Sequence, residues 1–305
     1  MRRKNNFKIY KSHKKKSTKL SNLFSYYQRT KDATNDIPLS AEDKFNSVFS
    51  YWGGKPTTFD CSLAPKFPKD RRKNKQKLRI ASYNAEWLFL FGGSGSVQCP
   101  GRDCPWKDSN QARDHLLQAI QMLIKLDADI IHFNEIEDCR VLHVLMDLLP
   151  DKHGYRAYLI PGTEEMTGQN VGILTRIDPI IDLKRTDARK SYPVMGSTCS
   201  SASPSSSYIS YSHGQRRSGT MGLSKHYLTK FHIGDMKIIW AGAHLIAHPG
   251  NLDRCIRREA QAAVLADFIA NEVNDENGPV EIIVTGDLND HDDEIIGANN
   301  VAPLS

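Results

Sequence analysis

Four groups of polar side chains stand in order along the chain, each at the end of a short apolar run. Asn84 and Glu86 follow LRIASY, and Asn134 and Glu135 follow DIIHF. His244 follows KIIWAGA, and Asp287 with Asn289 follows IIVTG. Carboxylates and amides with one imidazole and no thiol form a hard-oxygen donor set. Such a set favours Mg2+, with Mn2+ or Ca2+ as alternatives, over zinc. The imidazole adds a group able to carry a proton near neutral pH. Singly, each signal is weak: an Asn-Glu after a strand, a lone histidine or a Gly-Asp turn is more often structural. Four such groups, all at strand ends, carry far more weight, because layered α/β enzymes build sites where strands stop.

The elements that would position them alternate between strand and helix. Residues 78–84, 129–134, 155–160, 171–175 and 281–287 read as strands, with 162–170 as a turn. Residues 227–233 and 236–243 form a hairpin around Gly234-Asp235. Helical spacing marks 112–126 (Leu116, Ile120, Ile124), 141–149 and 253–273 (Ile256, Ala260, Val264, Phe268), the last with Asp253 as its expected cap. This alternation predicts an α/β layered domain. Residues 32–76 hold four prolines and no sustained period, so they are expected to be mostly irregular. Nine serines in residues 197–212, with Pro204 among them, predict an exposed insertion over 197–220.

Charge is unevenly spread. Residues 1–31 hold eleven Lys/Arg and no acid, out of a formal net charge of +6. From Ile80 onward there are 20 basic and 29 acidic residues, a net of −9. A basic arm on an acidic body fits a nuclear-localisation signal, a transit peptide or a nucleic-acid tether, or an arm with no specific role. With a mean hydropathy of −0.49, residues 1–76 are expected to form a basic, mostly disordered leader and 77–305 the folded domain. No apolar run approaches a membrane span, and the leader lacks the apolar core of a secretory signal. There is no Asn-x-Ser/Thr sequon, which weakly disfavours an extracellular protein. The basic leader points weakly to the nucleus, and a monomer is expected. Of six cysteines, Cys99 and Cys104 share a Gly/Pro-rich loop without companions at zinc-site spacing. A disulfide between those two stays open for an oxidising compartment.

The blocks IASYNAEWLF, DIIHFNEIED, GQNVGILTR, WAGAHL, RREAQ and IIVTGDLND resemble the endonuclease/exonuclease/phosphatase superfamily, specifically its deoxyribonuclease-like branch. The resemblance runs from about Leu78 to the C-terminus. It implies a four-layer αββα sandwich of two mixed β-sheets and a divalent-metal-dependent phosphoester hydrolase. It further implies Glu135 as metal ligand with Glu86 as an additional acidic residue, and Asn84 and Asn170 at the substrate. His244 would be the acid toward the leaving oxygen, with Asp287 and Asn289 orienting water and holding a phosphate oxygen. The family's closing strand with its Asp-His pair has no counterpart here. Asp114-His115 lies in a helical stretch and Asp290-His291 abuts the GDLN turn. The chain is therefore expected to be truncated at its C-terminal end, a longer form carrying the pair. A nuclease or other phosphodiesterase is the favoured function. The alternatives are a small-molecule or lipid phosphoesterase, favoured by the acidic body, and a non-catalytic nucleic-acid-binding protein using the basic arm.

Overall fold

The structure, a computed structural model, describes residues 41–91, 99, 101, 104–150, 153–164, 166–201 and 218–290. The basic arm and the terminal residues after 290 lie outside the described residues. The chain divides into two compact units, Met1–Leu183 and Lys184–Ser305.

The first unit opens with a helix that the sequence reading missed. Helix α1 (Ala41–Gly53) lies within the stretch expected to be irregular. Phe45, Val48, Phe49 and Trp52 recur at helical spacing, and Phe45 and Trp52 are buried in the core of this unit. Trp52 donates its indole N–H to Asp147 at 2.7 Å and stacks on His143. The residues that follow are also held: Cys61 bridges Leu159, Asp70 bridges Ile177, and Arg71 donates its backbone N–H to the Arg176 carbonyl at 2.7 Å. Packed structure thus begins well before residue 77.

Strands β1 (Ile80–Leu88), β2 (Ile130–Ile136), β3 (Arg156–Leu159) and β4 (Asn170–Thr175) form one sheet in the order β1-β2-β4-β3. The first pair is parallel and the other two are antiparallel, so the sheet is mixed. Helix α2 (Ser109–Leu126) forms the crossover between β1 and β2, as parallel strands require. Asp108 caps it by accepting from Asn110 and Gln111 N–H, and Leu116, Ile120 and Leu123 face the core. Helix α3 (Cys139–Leu148) follows β2, capped by Asp138. It packs so tightly on β4 that a Cβ at Gly172 would lie 2.8 Å from Leu142 Cδ1.

In the second unit, β5 (Arg189–Tyr192) and β6 (Gly219–Gly222) form an antiparallel ribbon. Strands β7 (His226–Ile233) and β8 (Met236–His244) are the expected hairpin, turning through Gly234 at φ 61°. Strand β9 (Glu281–Asp287) runs parallel to β8, giving a second mixed sheet in the order β7-β8-β9. The short helix α4 (Thr198–Ser201) precedes β6, and α5 (Leu252–Asn274) is the crossover from β8 to β9. The apolar face of α5 presses Val264, Leu265 and Ile269 on Ile239, Ala241 and Ala243. Its cap is Asn251 rather than Asp253. Asn251 Oδ1 accepts from Arg254 N–H at 3.1 Å, whereas Asp253 lies in the first turn and pairs with Arg257 at 2.8 Å.

The α/β class and the two mixed sheets match expectation. A second boundary, after that of the leader, needs correction: the Ser-rich stretch does not begin as exposed chain, because Ser197 and Cys199 are buried. Among the described residues, no helix is long and apolar enough to cross a membrane.

Candidate functional site

In the first unit the site residues sit where the β1–β2 ladder breaks. Pairing runs in register from Ile80 opposite Ile130 to Asn84 opposite Asn134, then resumes at Leu88 opposite Ile136. Three residues of β1, Ala85 to Trp87, therefore face the single Glu135 of β2. The β2–β4 ladder is irregular at the same place, between Phe133 and Ile136. A bulge turns a strand and re-aims its side chains. Here the backbone passes through the left-handed region at Glu86 (φ 47°), Trp87 (φ 61°) and Glu135 (φ 59°). Non-glycine residues are rarely held there without compensating contacts. The contacts are present: His115 Nε2 lies 2.6 Å from the Ala85 carbonyl, and Trp106 donates to the Trp87 carbonyl at 2.7 Å.

Asn84 joins the two strands at this point. Its Nδ2 donates to Glu135 Oε1 at 2.9 Å, and its Oδ1 accepts the Glu86 backbone N–H at 2.9 Å. Glu135 is half-buried and Glu86 exposed. The neighbouring Asn134 points the other way, buried against His132 Nε2 at 3.0 Å. Asn170 starts β4 and is tied to backbone on both sides. It accepts from Gly162 N–H and donates to the carbonyls of Glu137, at 2.6 Å, and Gly168. In this structure it clasps the 162–170 turn to the end of β2.

The sequence reading did not single out Glu137. Its carboxylate accepts the Leu90 and Phe91 N–H groups at 2.7 and 2.9 Å, bolting the chain after β1 to the loop after β2. Burial pushes its carboxyl above the usual range, against the lowering effect of those two bonds. The only sequence signal was its place two residues after Glu135 in the NEIED block.

In the second unit, His244 ends β8 and Asp287 ends β9, and the two are register partners in the parallel ladder. Each offers a ligand atom within 4.8 Å of the other. His244 is 4% exposed. The Asp287 carbonyl accepts Leu245 N–H at 3.0 Å, and its Oδ1 accepts Asn289 N–H at 2.9 Å. Asn289, at φ 51°, returns its Nδ2 to the Leu245 carbonyl at 2.8 Å. Gly286 makes this turn possible: at φ 146°, an added Cβ would lie 1.8 Å from the Ala243 carbonyl oxygen.

The RREAQ block on α5 braces the same end of the sheet. Arg258, fully buried, donates to the carbonyls of Ile246, His248 and Pro249. Gln261 accepts Ile246 N–H at 2.9 Å and donates to the Gly222 carbonyl. Glu259 gathers the Thr198 and Cys199 N–H groups and the Ser197 and Thr198 hydroxyls. These residues act through the loop after β8 and the start of the Ser-rich stretch.

No protein-family model matches this chain, and no curated protein matches it. Among solved structures it is similar to truncated TDP2 from Caenorhabditis elegans, at 16% identity and TM-score 0.34, covering 59% of this chain and 57% of that one. A β-hairpin deletion mutant of the Staphylococcus aureus beta toxin shares 12% identity at TM-score 0.42, over 70% of this chain and 67% of the other. The human Nocturnin catalytic domain with bound sulfate shares 13% identity at TM-score 0.36, over 70% and 64%. The chain thus spans little more than half the length of the first of these structures.

Proposed function

We propose that this chain is a divalent-metal-dependent phosphoester hydrolase of the endonuclease/exonuclease/phosphatase type. The observation that carries the reading is Glu135, a half-exposed carboxylate on a bulge, in left-handed backbone, held at one oxygen by Asn84. The donor set fits Mg2+ or Mn2+: Glu135 is an oxygen ligand oriented by a neighbouring amide, with Glu86 as a second carboxylate on the facing strand where the register breaks. When bound, the cation would neutralise charge on the non-bridging oxygens and lower the pKa of water.

The protein groups supply the rest. Displacement at phosphorus needs a positioned water and a proton for the departing oxygen. His244, at the end of β8, is suited to give that proton. Asp287, its strand-end neighbour, is suited to orient water. Asn289 has two amide N–H groups; one holds the Leu245 carbonyl, and the other is assigned to a phosphate oxygen, as is the amide of Asn84. Asn170 is assigned to positioning, through the turn that it closes.

Within this class a nuclease or phosphodiesterase is the preferred reading, resting on His244 and on the eleven positive charges of residues 1–31. A small-molecule or lipid phosphoesterase is the second reading, favoured by the net −9 from Ile80 onward, which repels polyanions. Hydrolysis of DNA, RNA, bis-p-nitrophenyl phosphate and a phosphomonoester by the full chain, with Mg2+, separates them. Cleavage of the polymers, with salt sensitivity removed by deleting residues 1–31, supports the first. Turnover of small esters alone supports the second, and no turnover of any of them would overturn both.

A further inference from the structure

We propose that all six cysteines are oxidised to three cystines, so that the protein matures in an oxidising compartment rather than the nucleus. Cys61–Cys139, Cys99–Cys104 and Cys199–Cys255 stand with Cα–Cα distances of 6.3, 6.1 and 5.8 Å. These lie within the roughly 4.4–6.8 Å that a disulfide spans. No cysteine is left over. Complete pairing of scattered cysteines is what secreted or lumenal chains show, whereas cytosolic and nuclear thiols are kept reduced.

The placement is that of structural staples. Cys139 is the first residue of α3 and 1% exposed, and its bond ties the segment ahead of β1 to the start of that helix. Cys199 and Cys255 are both buried, and their bond ties the start of the Ser-rich stretch to α5 beside Glu259. The two bonds close loops of 78 and 56 residues, where a crosslink restricts the unfolded chain strongly. His143 also lies near Cys61 and Cys139, so two thiolates and an imidazole could hold a soft metal there. Its ring instead stacks on Trp52 at 4.2 Å between centroids, and three ligands are fewer than the four of a structural zinc site.

Each bond forms by thiol–disulfide exchange. Two cysteine thiols give up two protons and two electrons to the disulfide of an oxidoreductase, which leaves as a dithiol.

The test is made on the full chain recovered from the cells that express it, with N-ethylmaleimide present at lysis to trap free thiols. Digestion without reductant and mass mapping are expected to give three linked peptide pairs, 61–139, 99–104 and 199–255, and no alkylated cysteine. Alkylation at any of the six cysteines, or a different pairing, would overturn the proposal. So would stoichiometric zinc released with two thiols. Reducing the purified protein is expected to lower Tm by roughly 5–15 °C; an unchanged Tm would contradict the staple role.

Discussion

Asn84 Nδ2 donates to Glu135 Oε1 at 2.9 Å across the point where the parallel β1–β2 ladder loses register. The amide fixes the orientation of a carboxylate that the bulge has turned out of the sheet. Groups of this kind set the geometry of metal ligands as much as the ligands do. Replacing Asn84 by Ala is expected to weaken Mn2+ binding by roughly 10- to 100-fold while leaving Tm close to wild type. Isothermal titration with Mn2+ checks this, and unchanged affinity would remove Asn84 from the site.

Glu135 and His244 are assigned different tasks, and their variants should separate. Glu135→Gln removes ligand charge and is expected to weaken metal binding more than His244→Ala does. His244→Ala is expected to lower kcat, with a smaller effect on substrates whose leaving group departs without a proton, such as p-nitrophenolate esters. Comparable metal affinity in the two variants would count against the assignment.

Gly286 is the residue on which the GDLND turn depends. An alanine there would set its Cβ against the Ala243 carbonyl in backbone that only glycine adopts easily. Gly286→Ala is therefore expected to destabilise the protein by about 3 kcal/mol or more. Urea unfolding measures it, and a change under about 1 kcal/mol would mean that the turn is not built as described.

Much of this was legible in the sequence, for reasons that differ between elements. Strand β9 was read at its observed bounds because EIIVTGD is a short β-branched run ended by Gly-Asp. Helices α2 and α5 were read within three residues at each end, because their apolar stripes repeat every three or four positions. Helix α1 was lost because a disordered reading of the flanking basic and proline-bearing chain outweighed its four-residue apolar stripe. The cap of α5 was misplaced because Asp253 and Asn251 are both good cap residues, and only backbone geometry distinguishes them. The strand-end polar residues were visible, but the bulge at Glu135 was not, since left-handed backbone at Glu or Trp has no signature in residue type. Asn170 and Glu137 illustrate the same limit: which polar side chain grips the backbone depends on contacts distant in the chain.

Asp178 offers a pH-dependent test of the first unit. It accepts from Arg71, from Lys69 N–H and from the Tyr158 hydroxyl. Burial pushes its carboxyl up, but the bonds from Arg71, Lys69 and Tyr158 outweigh this and hold it below the usual range. A folded value below the unfolded one means that the stabilisation is complete above the unfolded pKa of about 3.9 and is lost as pH falls toward the folded value. Asp178→Asn is expected to cost about 3 kcal/mol at neutral pH, with the difference shrinking below about pH 4. Urea midpoints of the two proteins across that range check it, and a pH-independent gap would refute the linkage.

The most direct test is the rate of bis-p-nitrophenyl phosphate hydrolysis by the full chain as Mg2+ is titrated into EDTA-stripped protein, beside Glu135→Gln. The expected result is no turnover without metal, a saturable rise for the wild type and a loss of roughly 100-fold or more in the variant. Hydrolysis that persists in EDTA, or that is equal in the two proteins, would contradict a cation held by Glu135 at the centre of the chemistry.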